Sequence, residues 1–160
     1  MAEKYPDKTA LVSENESFTY REMYGLVQKT ASYILDRADS GKEKIAAVRL
    51  DRGIWQPLVV FGAFMAGFAY LPLKNEDSIE RLQYVTDRCG VTIDQTAINT
   101  IMTYENTYDI DEMPGFKTDM HAPAYYMFTS GTTGRPKAVA ISHKSLDIRI
   151  RWHEKTFRDG

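Results

Sequence analysis

Apolar and polar positions alternate along this chain in a way that marks out strands and helices in turn. Thr9-Ala10-Leu11-Val12 and Ser17-Phe18-Thr19-Tyr20 flank the polar stretch Ser13-Glu14-Asn15-Glu16, which predicts a small hairpin. Thr19 and Glu22 have capping-box spacing, so a helix is expected to start there. Met23, Leu26, Val27, Ala31, Ile34 and Leu35 recur at steps of three and four and give that helix one apolar face, with Ser40-Gly41 as its end. Ile45–Leu50 reads as a strand, residues 54–66 as an apolar helix stopped by Gly67, and residues 68–73 as a second strand. Asp77 and Glu80 repeat the capping-box spacing and predict a helix running to Cys89 before Gly90, with a third strand beginning at Val91-Thr92-Ile93. Residues 103–123, with Met113-Pro114-Gly115 and several acids, read as a surface connection. Strand–helix–strand alternation predicts one α/β domain over 1–160: a largely parallel sheet flanked by helices, with a small N-terminal hairpin.

Ile54–Leu73 is twenty residues without a charge, the length of a membrane span. Pro57, Gly62, Gly67, Pro72 and Gln56 break it, so it is read as a core helix followed by a buried strand. Composition supports a globular fold: 43% of the 160 residues are hydrophobic and 26% are charged. The formal net charge of −2 removes the basic footprint of a nucleic-acid binder. The single cysteine excludes an internal disulfide and a thiolate zinc cluster, and suits a reducing, cytoplasmic setting. The first residues carry no apolar stretch of a secretory signal.

The chemistry concentrates in one loop. The apolar run Tyr125-Tyr126-Met127-Phe128 opens into Thr129, Ser130, Gly131, Thr132, Thr133, Gly134, Arg135, Pro136 and Lys137. Two glycines let backbone N–H groups approach a ligand, four hydroxyls can donate to anionic oxygens, and Arg135 and Lys137 supply positive charge. Together these features suggest a phosphate cradle. The Walker pattern does not fit, because two residues separate Gly131 from Gly134 and Lys137 is followed by Ala138. The G-x-G-x-x-G pattern does not fit either. Val139-Ala140-Ile141 is strand-like, which makes the loop a hairpin tip.

The string Thr-Ser-Gly-Thr-Thr-Gly-x-Pro-Lys resembles the signature phosphate loop of the adenylate-forming ligases. Residues 61–73, Glu80-Arg81-Leu82-Gln83-Tyr84, residues 18–23 and residues 6–10 resemble further stretches of that superfamily in the same order. The resemblance is greatest to amino-acid adenylation domains of nonribosomal peptide synthetases, with D-alanine–carrier-protein ligases as close relatives. It implies an incomplete N-terminal subdomain of an adenylation domain. It further implies ATP with magnesium as cofactor, and an amino acid and a carrier-protein thiol as partners of the complete enzyme. On this resemblance Thr129, Ser130, Gly131, Thr132, Thr133, Gly134 and Lys137 bind phosphate. No residue here is assigned as catalytic or metal-binding, because the family's adenine, ribose and catalytic-lysine motifs are not found in these residues. The isolated chain is therefore expected to be inactive, with a non-catalytic module binding a nucleotide, an anion or a partner protein as the alternative. Ala138 stands where the family usually has glycine, and an alanine resists positive φ at the loop's exit.

The remaining candidates have plainer readings. His121, His143 and His153 are too scattered for a metal site, and Cys89 suits a small buried thiol. Leu146, Ile148, Ile150 and Trp152 alternate with Asp147, Arg149 and Arg151, which locally reads as a strand. The resemblance implies a helix there instead, starting near Ser142 or His143. Cutting such a domain after the phosphate loop is expected to leave a sheet edge and apolar surface open to self-association.

Overall fold

A computed structural model describes residues 1–105, 108–129 and 137–158. Strands β1 (Thr9–Val12) and β2 (Ser17–Thr19) form the antiparallel hairpin. Helix α1 (Tyr20–Arg37) follows directly. Its N-terminal N–H groups need partners outside the helix. The capping box supplies them: Thr19 Oγ1 accepts from Glu22 N, and the Glu22 carboxylate accepts from Thr19 N at 2.8 Å. These bonds from Thr19 hold the Glu22 carboxyl below the usual carboxylate range.

The rest is built on a five-stranded sheet of order β5-β3-β4-β6-β7. Strands β3 (Glu43–Val48), β4 (Ala69–Pro72), β5 (Cys89–Ile93) and β6 (Pro123–Thr129) run parallel, and β7 (Lys137–Ser142) is antiparallel to β6. Helices α2 (Trp55–Met65), α3 (Ile79–Thr86), α4 (Gln95–Met102) and α5 (His143–Arg158) complete the chain, with short 3-10 turns at Ile110–Glu112 and Pro114–Lys117. Successive side chains of a strand point to opposite faces. Accordingly Ala46 and Val48 of β3 pack with Ala31, Ile34, Val59, Ala63, Ile98 and Ile101 of α1, α2 and α4. Ile45 and Ala47 pack on the other side with Leu71, Val85 and Cys89 under α3.

The charge-free run 54–73 is a helix and a strand, and no helix among the described residues is long and apolar enough to cross a membrane. Gly67 has φ of 75° and closes α2: Phe68 N donates to Ala63 O at 2.8 Å and Gly67 N to Phe64 O at 3.0 Å. This is a Schellman arrangement, which left-handed glycine makes cheaply.

Three expectations need correction. The cap of α3 is Ser78, which accepts from Arg81 N, while Asp77 instead accepts from Lys74 N and pairs with Arg81. The helix ends at Thr86, and Cys89-Gly90 belong to β5. A Cβ at Gly90 would lie 2.9 Å from Glu43 O, so glycine serves strand packing there and not a helix stop. Residues 95–102, given no element from sequence, form α4. Its cap is Asp94, which accepts from Ala97 N at 3.0 Å, and Ala97, Ile98 and Ile101 are buried. Within 103–123, Met113 is fully buried, and Tyr104 and Tyr108 each donate a hydroxyl hydrogen bond to Asp36 of α1, at 2.7 and 2.8 Å.

The helix reading of α5 holds over its local strand pattern, with Arg151 and Asp147 ion-paired at 2.8 Å one turn apart. Ala138 pairs with Phe128 inside β7, and no non-glycine residue among those described has positive φ. Ala138 itself is therefore free of positive-φ strain.

Two measurements check this packing. Thr19→Ala should lower stability by about 1 kcal/mol in urea unfolding, with Thr19→Asp closer to the parent. Burial, with Glu43 adding to it, pushes the Cys89 thiol up to about 11. A thiol reagent at pH 8 should therefore label Cys89 slowly in the native chain and rapidly once it is unfolded.

Candidate functional site

The site is set by the way β6 is paired. Tyr70 of β4 aligns in parallel with Tyr125 of β6, so β6 ends at Thr129 on the same edge where β3, β4 and β5 end. The antiparallel β7 returns from that edge with Lys137 opposite Thr129. Thr129 and Lys137, the strand ends on either side of residues 130–136, therefore sit at the carboxyl edge of the sheet, where open α/β sheets bind ligands. Of the residues expected to bind phosphate, Thr129 and Lys137 are placed, directly across from each other. Ser130, Gly131, Thr132, Thr133 and Gly134 lie outside the described residues. Lys137 is exposed at the start of β7.

Around this edge a polar cluster fixes the neighbouring turns. After β4, Lys74 N donates to Asp77 Oδ2 at 3.0 Å, and Asn75 Nδ2 donates to Asp51 Oδ1 at 2.6 Å in the segment after β3. Asp77 pairs with Arg81 at 3.2 Å, and the Arg81 guanidinium carbon lies 5.5 Å from the centre of the Phe128 ring. A guanidinium can keep an ion pair and lie over an aromatic face at once. Arg81 thus ties α3 to the end of β6, next to Thr129, and adds a cation to this edge. From sequence, Arg81 stands out only as part of a resemblance. The available signal was its spacing four residues after Asp77, one helical turn.

The comparisons with known proteins place the chain. The AMP-binding enzyme family matches residues 1–159. The chain belongs to that family. It is similar to bacitracin synthase 3 of Bacillus licheniformis, 30% identical over 99% of this chain and 3% of that protein. Its fold is similar to that of FmoA3, a nonribosomal peptide synthetase solved with α-methyl-L-serine-AMP, at a TM-score of 0.76 and 21% identity over 98% of this chain and 19% of that one. It is also similar to O-succinylbenzoate coenzyme A synthetase of Bacillus subtilis in complex with ATP and magnesium, at a TM-score of 0.74 and 19% identity over 97% of this chain and 45% of that one. The chain thus spans less than half the length of each of these proteins.

The chain also has an apolar cavity of about 440 Å³ at the opposite end of β6 and β7, lined by Tyr20, Phe61, Phe64, Phe116, Met120 and His143 among others. It has no cation among its lining side chains apart from His143, so it is unsuited to a triphosphate. His143 meets Phe64 edge-on at 5.1 Å, and burial pulls its pKa below the ordinary 6.5. Among the described residues no group of three His, Cys, Asp or Glu could hold a metal ion.

The sign of the His143 effect is fixed. With its folded pKa lowered, the unfolded chain takes up the proton first. Stability is intact above about pH 6.5 and falls as pH drops toward the folded value. His143→Phe should remove this acid-side loss, read as urea midpoints at pH 7.5 and 5.5.

Proposed function

We propose that this chain supplies the triphosphate-holding part of an amino-acid-activating, AMP-forming ligase. In that reaction a carboxylate oxygen of the amino acid attacks the α-phosphorus of ATP, the bond to the bridging oxygen breaks, and pyrophosphate leaves. The aminoacyl-AMP then gives its acyl group to a carrier-protein phosphopantetheine thiol, releasing AMP. The physical difficulty is joining two anions while negative charge grows on the leaving oxygens, so fixed donors and cations there lower the barrier. The family match over 1–159, with Thr129 and Lys137 paired at the sheet's carboxyl edge, carries this reading.

On this proposal the loop amides and hydroxyls of Thr129–Gly134 orient the β- and γ-phosphates, and Lys137 acts as a point charge on them. Arg81 steadies the strand that leads into the loop through Phe128. Magnesium bound with ATP would supply neutralisation of phosphate charge. No acidic cluster for it exists among the described residues, so no step is assigned to a metal ligand of this chain. Positioning of the carboxylate and of adenosine falls to groups that these residues do not identify.

Titration with magnesium ATP, followed by backbone amide NMR, tests the reading. Saturable shifts should centre on the amides from Thr129 to Lys137, and adenosine alone should leave those amides unmoved. Lys137→Ala should weaken binding about tenfold or more, the worth of one charge-assisted contact. Absence of shifts at these amides, or equal affinity of the variant, contradicts the assignment. The isolated chain should show no amino-acid-dependent exchange between ATP and pyrophosphate. Clear exchange would refute the division of labour.

A further inference from the structure

The edge proposed to receive the triphosphate also carries an acid, Asp77, where a negative charge repels an anion. Its two oxygens have different partners. Oδ2 accepts from Lys74 N at 3.0 Å and holds the turn after β4, while Oδ1 pairs with Arg81 Nε at 3.2 Å. The Asp77 side chain is 14% exposed, so water and salt screen this pair less than a fully exposed one. Held by that pair, the Arg81 guanidinium carbon lies 5.5 Å from the centre of the Phe128 ring, inside the reach of a cation–π contact. Phe128 immediately precedes Thr129. Across the ladder to β7, Phe128 stands opposite Ala138 and Thr129 opposite Lys137.

We infer that Asp77 and Arg81 are positioning residues for triphosphate binding: together they lock the Phe128 ring and so fix where Thr129 and Lys137 stand at the end of the β6–β7 ladder. This rests on the assignment of the sheet's carboxyl edge to the triphosphate. Neither residue is given a contact with phosphate. Asp77 acts through Arg81, and Arg81 acts through Phe128. The carboxylate has two opposed effects. It repels the anion, which salt screens, and it orders the strand end in advance, which spares the nucleotide that cost on binding. The ordering outweighs the repulsion. Charge alone does not suffice for it. Lysine in place of Arg81 keeps the charge and loses the planar face that lies on the ring. Asparagine in place of Asp77 keeps an acceptor for Lys74 N and loses the ion pair.

The test is a titration of the full 160-residue chain with magnesium ATP, read at the amides of Thr129 and Lys137. Asp77→Asn should weaken binding about three- to fivefold although it removes a negative charge, and Arg81→Lys should weaken it as much although it keeps a positive one. Phe128→Leu should do the same, and adding Arg81→Lys to it should cost nothing further, because both changes break one contact. Glu80→Gln makes the same charge change as Asp77→Asn at an exposed site on α3, and should leave affinity equal or slightly higher. Without nucleotide, hydrogen exchange at Thr129 and Lys137 should quicken in Asp77→Asn and Arg81→Lys while the β3 amides exchange as in the parent. Equal or tighter binding by Asp77→Asn, additive losses in the double variant, or faster exchange throughout β3 each overturn the inference, and the parent's own saturable shifts then still uphold the triphosphate assignment. A parent without saturable shifts overturns both.

Discussion

The double pairing of β6 governs the rest of the structure. It lies parallel to β4 and antiparallel to β7, and among the described strands of the five-stranded sheet it alone has one neighbour of each kind. The parallel bond fixes which edge Thr129 reaches. The antiparallel bond fixes that the chain returns at Lys137 from the same edge. A strand-to-helix turn would have sent the chain away across a sheet face, as in Walker and dinucleotide folds. Here both ends of the glycine-bearing stretch are held by strand ladders.

The same arrangement explains the uneven cover of the molecule. Three helices bury one face of the inner strands, and the short α3 covers the other, where Leu71, Val85 and Cys89 pack. Toward β7 the cover thins. α5 follows β7 and carries apolar side chains on two sides. Ile150 and Phe157 lie along one side and Ile148 and Trp152 along the other, all more than half exposed. A helix apolar on both sides is built for burial.

Much of this was legible in the sequence. The capping box of α1, the glycine stop of α2 and the buried strand after it follow from local rules that the structure obeys. The alternation in α5 imitates a strand because a helix apolar on two sides repeats much as a strand does, while the Asp147–Arg151 spacing marks the helix locally. The Asp94 cap and the Ala97, Ile98, Ile101 stripe were present but short, and α4 went unassigned. Gly90 resembled a helix stop because a close backbone approach across β3 and β5 is a tertiary fact, invisible in the string. For the site, the loop string was legible in full, whereas the tie from Arg81 to Phe128 joins residues far apart in sequence, and no local pattern announces it.

The most direct test is a crystal structure of the chain with a non-hydrolysable ATP analogue and magnesium. The account predicts the β- and γ-phosphate oxygens within hydrogen-bonding distance of backbone amides between Thr129 and Lys137, at the carboxyl edge of β6. Phosphates seated elsewhere, with that stretch turned into the protein interior, would contradict it.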